Sequence, residues 1–216
     1  MKKATSIGMF AAIAFAVGMT GINLSDGTIT LQNSPSATAD GASILGHIEL
    51  IHTDKEGNIL SYQQTDNAIV SQGRACTAML LFGENTECPA ATKTDIGNYT
   101  TIGIGNGSLL AADTTAQALN SEITGDGLAR ALGTLGTYTA TSGTGTDATQ
   151  RITKQFTYTG SQSGNVISQA GLFNSTTISS DSTFALKNFP SNVTMNNGDQ
   201  LTVNWDITVS GSDAVS

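Results

Sequence analysis

The segment Leu201-Thr202-Val203-Asn204-Trp205-Asp206-Ile207-Thr208-Val209-Ser210 alternates apolar and polar residues along its whole length. Successive side chains of a β-strand point to opposite faces, so this pattern predicts a strand with one face in a core and the other in water. The apolar face of the predicted strand consists of Leu201, Val203, Trp205, Ile207 and Val209. Such a strand is typical of one wall of a β-sandwich, and the surrounding sequence holds no pattern typical of a catalytic site.

The composition favours strands and turns and excludes one class of partner. Only 12% of the 216 residues are charged, the formal net charge is −8, and Gly, Ser, Thr and Asn dominate the polar residues. Threonine is common in strands, and glycine and asparagine are common in turns. Phosphate backbones select basic surfaces, and this acidic chain has no cluster of Lys and Arg. We therefore expect a β-rich protein that does not bind nucleic acid.

The N-terminus has the pattern of an export signal. Lys2-Lys3 precedes an uncharged run over 4–25 whose apolar centre is Ile7–Val17. A basic start followed by an apolar centre of about 7–15 residues predicts a secretory signal, and Ala37-Thr38-Ala39 offers a cleavage site before Asp40. The alternative is a retained membrane anchor or pilin-type assembly helix, since the run just reaches bilayer length. We expect a secreted or cell-surface protein that meets the membrane transiently or only through this leader.

The two cysteines, Cys76 and Cys88, lie in the exported part of the chain. In an oxidising compartment, an isolated pair that closes a short loop predicts a disulfide. Such a loop stabilises the fold by about 3 kcal/mol in the chain-entropy view. A two-thiolate metal site is the alternative, but it would need a Cys-x-x-Cys spacing and nearby histidines that are absent here. We expect a disulfide and neither a metal nor a cofactor.

Hydrophobic patterning predicts a mostly antiparallel set of strands. A hairpin is expected from 46–52 and 58–64 around the turn Asp54–Gly57, whose glycine can adopt positive φ. Further strands are expected at 68–70, 99–104, 129–141, 151–159, 166–173, 183–187 and 201–210. The chain lacks the alternation of strands and helices that a parallel sheet requires.

Two segments are candidates for helix. Ala78–Phe82, inside the predicted disulfide loop, is either a short helix or a buried strand. After Thr114, the pair Thr114 and Gln117 fits a capping box, and Leu119 and Ile123 continue one apolar face. The second segment therefore predicts one short helix that ends by Gly125.

These elements predict an all-β fold: an antiparallel β-sandwich, jelly-roll-like, with one short helix and an extended N-terminal segment. Residues 1–39 would form the leader and a flexible lead-in. The sandwich would occupy 40–212, with a candidate sub-boundary near residue 95. Within the lead-in, Gly27–Gln32 alternates like a strand although it lies outside the predicted core.

The C-terminal half contains an ordered series of motifs. Ile102–Gly107 precedes the predicted helix, Ile167-Ser168-Gln169-Ala170-Gly171-Leu172-Phe173-Asn174 and Phe189-Pro190 follow it, and Asn197–Thr208 closes the series. This order resembles a β-sandwich domain of phage and prophage tail-associated proteins, in which a strand ending "(E)AGLFN" precedes a final "gD.L.v.W.it" strand. The resemblance covers about residues 99–210, and it implies a sandwich fold and a role in assembly.

The chain departs from that family in three places. It carries an export signal, a Thr/Gly-rich insertion at 141–149, and Gln169 where an acidic residue is usual. The N-terminal half, and the chain as a whole, resembles exported surface or filament-type proteins of archaea.

Candidate metal and nucleotide sites are weak in this sequence. His47 and His52 lie five residues apart in one predicted strand, so they point to opposite faces and are interpreted as partly exposed strand residues. The glycines of Gly103-x-Gly105-x-Gly107 miss the dinucleotide-loop spacing and are interpreted as a turn or bulge. Asp113, Glu122 and Asp126 are candidate calcium ligands, but without EF-hand spacing they are interpreted as solvated carboxylates at a helix end.

Four Asn-x-Ser/Thr sequons are candidate glycosylation sites: Asn98, Asn106, Asn174 and Asn192. Each would need an exposed asparagine in a compartment that glycosylates proteins. Sugars at these positions would help a weakly charged surface to remain soluble.

The sequence predicts a structural protein and not an enzyme. We expect an exported subunit that assembles with copies of itself into an extracellular filament, pilin-like and joined by donor-strand addition, or into a coat. The alternatives are a surface-displayed carbohydrate- or adhesion-type binding module and a virion or tail-like structural protein. Trp205, the one tryptophan and hence the first candidate for a sugar platform, falls on the apolar face and is expected in the core.

Overall fold

The computed structural model describes residues 22–25, 28–31, 42–82, 98–108, 118–140, 147–161, 165–178 and 183–211. The chain divides into two compact units. One comprises Met1–Asp40 with Ala214–Ser216, and the other comprises Gly41–Asp213. The candidate cleavage site at 37–39 and the sub-boundary near 95 lie outside the described residues.

The first unit contains a two-stranded antiparallel hairpin, with β1 at Ile22–Ser25 and β2 at Thr28–Leu31. Its register pairs Ile22 with Leu31 and Leu24 with Ile29. The prediction that 27–32 has strand character is therefore confirmed for Thr28–Leu31.

The second unit contains one helix and ten strands in its described part. The helix α1 spans Ser71–Phe82. The strands are β3 (Ala42–Thr53), β4 (Ile59–Ile69), β5 (Thr101–Gly105), β6 (Ala131–Leu132), β7 (Thr134–Leu135), β8 (Thr139–Ala140), β9 (Ala148–Thr157), β10 (Asn165–Phe173), β11 (Thr183–Met195) and β12 (Gln200–Gly211).

These strands form two antiparallel sheets packed against each other, so the predicted all-β sandwich is confirmed. The first sheet has the order β4-β3-β12-β9, and β7 and β8 pair with the outer side of β9. The second sheet has the order β6-β5-β10-β11. Strand β4 belongs to both, because 59–67 pairs with β3 while Ala68 and Ile69 pair with β11.

The predicted hairpin at the start of this unit is confirmed. Asp54 accepts backbone hydrogen bonds from Glu56 and Asn58 through its carboxylate, and Gly57 has φ +88°. A carboxylate that bonds to the backbone two residues on is the usual way an aspartate closes a turn. The turn joins β3 to β4, whose long ladder builds one side of the first sheet.

The apolar ridge of β12 is buried as predicted over Leu201, Val203 and Trp205, which are almost completely inaccessible. It opens toward solvent at the end of the strand, where Ile207 is half-buried and Val209 is 47% exposed. The core therefore lies under the first half of β12, between the two sheets. There it includes Ile48, Leu50, Ile102, Ile104, Ile152, Phe156, Tyr158, Ile167, Leu172 and Met195.

Trp205 also makes a polar contact inside this core. Its indole Nε1 donates a hydrogen bond to Asn67 Oδ1 at 2.9 Å. Asn67 is the last residue of β4 that pairs with β3, and its partner in the register is Gly46. A Cβ atom at Gly46 would overlap the Asn67 side chain, so glycine is needed there to admit that amide.

The one helix of the described part is α1. It includes residues 78–82, for which the sequence pattern allows either a short helix or a buried strand. Gly73 faces the backbone of Phe184 so closely that any Cβ would overlap it. Gln72 Oε1 accepts a hydrogen bond from the Thr183 backbone at 3.0 Å. The helix is thus held directly on the start of β11.

The helix predicted after Thr114 is wrong over residues 118–124, and its first part lies outside the described residues. Ile123 donates a backbone hydrogen bond to Ile104 at 2.9 Å, and Gly107 donates one to Asn120 at 3.1 Å, so this segment pairs with the end of β5. Ser121 has φ +56°, which no α-helix contains. Asn, Ser, Thr and Gly are weak helix formers, and pairing with the neighbouring strand satisfies their backbone groups instead.

Replacing Trp205 tests the importance of the buried indole. Trp205→Phe removes the hydrogen bond to Asn67 and leaves unfilled volume, and we expect it to lower the free energy of unfolding by about 1–3 kcal/mol. Val209→Ala, on the exposed end of the same strand, is the control and should change stability by less than about 0.5 kcal/mol. Chemical denaturation of both variants measures the difference, and similar losses would contradict this account of the core.

Candidate functional site

Among the described residues, no strand pairs with the outer edge of β4 along most of its length. Its residues 59–67 pair with β3 on one side, whereas β11 pairs only with Ala68 and Ile69. On the other side of 59–66, no strand of the described part forms a ladder with β4. Ile59, Leu60 and Tyr62 on this stretch are 67%, 53% and 52% exposed. A strand edge of this kind presents unpaired backbone donors and acceptors to any other strand.

In the described part, the other sheet edges are covered by short strands or carry lysine or proline, whereas the edge of β4 over 59–65 is not protected in this way. The outer side of β5 is covered by β6 and by the hydrogen bond from Ile123 to Ile104. The outer side of β9 is covered by β7 and β8, and its uncovered part includes Lys154. Strand β11 carries Lys187 and Pro190 beyond its short contact with β4. Lysine and proline are common means of preventing edge pairing, and the stretch 59–65 contains neither.

A polar network crosses the outer face of the first sheet next to this edge, and Glu49 is its centre. Tyr62 Oη donates to Glu49 Oε1 at 2.7 Å, and Asn204 Nδ2 donates to Glu49 Oε2 at 2.7 Å. Thr153 Oγ1 continues the network by donating to Asn204 Oδ1 at 2.8 Å. Four adjacent strands therefore contribute one side chain each. The network orients Tyr62 at the open edge of the sheet.

An ion pair extends this network on β9 and β12. Arg151 binds Asp206 in a bidentate manner, with Nε–Oδ1 and Nη2–Oδ2 distances of 2.7 and 2.6 Å, and its Nη1 lies 3.5 Å from Glu49 Oε2. The hydrogen bond with Asp206 raises the pKa of Arg151, and the hydrogen bond to Glu49 raises the pKa of the Tyr62 hydroxyl. Each charged group of this face is thus bound to a neighbour. These contacts hold the polar side chains of this face in fixed positions.

The pKa of the Glu49 carboxyl is lowered, first by the hydrogen bond from Tyr62, then by that from Asn204, and further by the charge of Arg151. Partial burial and the charge of Asp206 oppose this shift. A carboxyl whose folded pKa is lowered stabilises the fold above its unfolded pKa, about 4.3 for glutamate, and this stabilisation is lost as the pH falls through the folded pKa.

We therefore expect the stability gap between the wild-type protein and Glu49→Gln to close in acid. At about pH 7 the wild type should be the more stable protein, and the two should converge as the pH falls through the lowered folded pKa of Glu49, because the carboxyl is then protonated. Urea denaturation of both proteins over this range measures the gap. A gap that is independent of pH would contradict the assigned role of the ionised carboxylate.

The two histidines lie on opposite faces, as predicted, but only one is partly exposed. His47 Nδ1 lies 2.9 Å from Asp66 Oδ1 on the outer face. His52 is 6% exposed, and its Nε2 lies 3.2 Å from Asp199 Oδ2. The interpretation of His52 as an exposed strand residue is therefore wrong. It is buried because β3 is a central strand and because Asp199, in the turn before β12, offers a partner. The same carboxylate accepts a hydrogen bond from the Asn196 backbone at 2.7 Å.

The candidate calcium ligands do not come together as a carboxylate group. Glu122 is bound in a buried ion pair to Arg130, with Nε–Oε1 and Nη2–Oε2 distances of 2.7 and 2.6 Å, and Arg130 also lies 3.5 Å from the centre of the Phe173 ring. The interpretation of Glu122 as a solvated carboxylate is thus wrong, whereas Asp126 is exposed in a turn. Asp113 lies outside the described residues. Within the described ranges, no group of three or more His, Cys, Asp or Glu side chains is placed to hold a metal ion.

The buried and exposed ion pairs should differ in their contributions to stability. Arg130→Ala leaves the Glu122 carboxylate buried without its guanidinium, and we expect a loss of about 3–5 kcal/mol. Asp206→Ala breaks the outer-face pair with Arg151, whose side chain is 45% exposed, and we expect a loss of about 0–1 kcal/mol. Chemical denaturation of the two variants measures both losses. Equal losses would contradict the assignment of the Arg130 pair to the core.

The glycine motif of 103–107 is a strand that runs into a turn, as predicted. Gly103 and Gly105 are buried in β5, and Gly107 lies in the turn that follows. Gln169, which replaces the acidic residue usual in the resembled family, is completely buried. Its amide donates to the Gly107 carbonyl and accepts a hydrogen bond from the Asn120 backbone. An amide supplies both a donor and an acceptor here, whereas an ionised carboxylate would supply acceptors only.

The predicted modification sites differ in exposure. Asn98, Asn106 and Asn192 are exposed, whereas Asn174 is half-buried. Cys76 is completely buried in α1, and Cys88 lies outside the described residues, so the pairing of the two cysteines stays a prediction.

Sequence alone did not reveal that Glu49, Asn204 and Gln169 each join several hydrogen-bond partners. Asn204 is in the polar phase of the β12 alternation, which predicts a solvated side chain, yet it is buried between β3 and β9. The missing information was the order of strands in the sheet. Gln169 was noted only as a departure from a family motif.

Comparison with known proteins gave no match among protein-family models, curated proteins or solved structures. Among the described helical residues, none forms a helix with the length and apolar character needed to cross a bilayer.

Proposed function

We propose that this protein is an exported structural subunit that assembles with copies of itself into an extracellular filament or coat. The observation that carries this proposal is the open edge of β4 over 59–66, which is uncharged up to Asp66 and exposes Ile59, Leu60 and Tyr62. Strand addition to such an edge forms main-chain hydrogen bonds, while side chains that flank the edge provide specificity.

The rigid surroundings of this edge support an acceptor role. Strand β4 is held along its inner side by β3, and Tyr62 is fixed by its hydrogen bond to Glu49. Gln63 Oε1 accepts a hydrogen bond from the Ser191 backbone at 2.9 Å, which ties the strand to the facing sheet. An incoming strand would therefore meet a pre-formed template and would lose little of its binding energy to ordering the acceptor.

The exposed sequons at Asn98, Asn106 and Asn192 fit a surface protein, and we propose them as glycan acceptors. The predicted leader supports export. The resemblance of residues 99–210 to tail-associated sandwich domains supports assembly and leaves a virion or tail-like subunit as the related alternative.

A surface-displayed binding module for carbohydrate is the second candidate. Tyr62 is exposed on the outer face of the first sheet beside Glu49 and Gln64. A cavity of about 420 Å³ lined in part by Leu45, His47, Asp66 and Asp147 opens on the same sheet. A glycan array that shows binding, lost in Tyr62→Ala, would favour this candidate over assembly.

A charge placed at the open edge tests self-assembly. We expect Leu60→Lys to raise the critical protein concentration for polymerisation by at least about tenfold, which corresponds to a loss of about 1.4 kcal/mol per contact. The matched control is Gln155→Lys, which places the same charge at an exposed position on β9 and should assemble normally. Sedimentation and negative-stain microscopy measure the polymer. A wild-type protein that stays monomeric at high concentration and on the native cell surface would contradict the proposed function.

A further inference from the structure

We infer that the N-terminal hairpin of one copy, β1 and β2, is the partner that occupies the β4 edge of the next copy. This inference rests on the proposed function and on the retained form of the leader, in which residues 22–31 stay in the mature chain, and it names the donor at that site. The hairpin would enter as a preformed pair, with β2 adjacent to β4 and β1 outside it, so that no existing ladder has to break.

The two described strands of the hairpin are too short to be stable by themselves. Its two strands have four residues each, and they form a separate two-stranded sheet. An isolated two-stranded hairpin is marginal in water, and three or more strands are needed for independent stability. Addition to β4 would make the hairpin part of a larger sheet.

The sandwich supplies no alternative donor in β3. The stretch Ile44–Ile51, the other segment with donor-like alternation, pairs with β4 on one side and with β12 on the other. It is therefore committed to its own sheet. Among the described residues, the hairpin is the strand-forming element that lies outside the unit Gly41–Asp213.

The alternation of the two strands selects one register. An antiparallel arrangement that places Ile29 opposite Tyr62 also places Leu31 opposite Leu60, so apolar positions meet two of the three exposed hydrophobic residues of the edge. The same register places Thr30 opposite Ser61. A shift by one residue in either direction would place a threonine beside Tyr62 and a polar residue, Thr30 or Gln32, beside Leu60.

The chain is long enough for this exchange. Ten residues, 32–41, lie between β2 and β3, and an extended chain spans at most about 3.3–3.6 Å per residue, or about 35 Å here. β2 covers about 13 Å of the edge, since strands rise about 3.3 Å per residue. A linker of this length is compatible with a hairpin that pairs with another copy.

Cysteine pairing between full-length copies tests the register. A variant with Thr30→Cys is mixed with one carrying Ser61→Cys under mild oxidation, and we expect a disulfide-linked species in at least about tenfold excess over the control mixture of Thr30→Cys with Gln155→Cys. Because each partner carries one of the two substitutions, a cross-linked product reports contact between copies.

The result separates this inference from the proposed function. Polymers that form without the 30–61 cross-link, or that persist after deletion of 22–31, would overturn the hairpin as donor and leave self-assembly standing. A mature chain that begins at Asp40 in N-terminal sequencing of the polymer would also overturn it. The cross-link, together with loss of polymer in the deletion variant and unchanged unfolding of its sandwich, would support it.

Discussion

The architecture depends on the contact between Trp205 and Asn67. Trp205 lies on β12 in the middle of the first sheet, and Asn67 is the residue at which β4 leaves that sheet for the second. The indole fills the core while its N–H binds the amide at the crossover. Gly46 makes this possible because it leaves space for the amide between neighbouring strands. One hydrogen bond thus links core packing to the point that joins the sheets.

The same crossover explains why the outer edge of β4 has no neighbouring strand over 59–66 in the described part of the chain. Once β4 turns toward β11 at Ala68, its earlier residues and the far end of β11 are left on the border of their sheets. The fold protects β11 with lysine and proline, and it protects β9 and β5 with short covering strands. Strand β4 has no such protection over 59–66 among the described residues, and a polar network holds its exposed Tyr62 in place. The proposed assembly contact is therefore assigned to this edge.

Sequence alone predicted the sandwich because its main signals are local. The alternation of 201–210 and the turn at Asp54–Gly57 each depend on a few adjacent residues. The failures came from non-local contacts. The segment around Ser121 has a helical apolar pattern but pairs with β5, and His52 and Asn204 are buried because central strands cover them. The unpaired edge of β4 was not predictable, since it depends on which strands are neighbours, whereas the strand character of Thr28–Leu31 was recognisable from its own alternation.

The crossover at Asn67 also sets a geometric limit. Beyond that residue the outer side of β4 is occupied by β11, so any added strand must stop there, whatever its own length. The accessible template of 59–66 spans about 26 Å at 3.3 Å per residue. A filament built on it would therefore have joints of bounded overlap, and its axial repeat would be governed by the size of the sandwich and of the connecting segment.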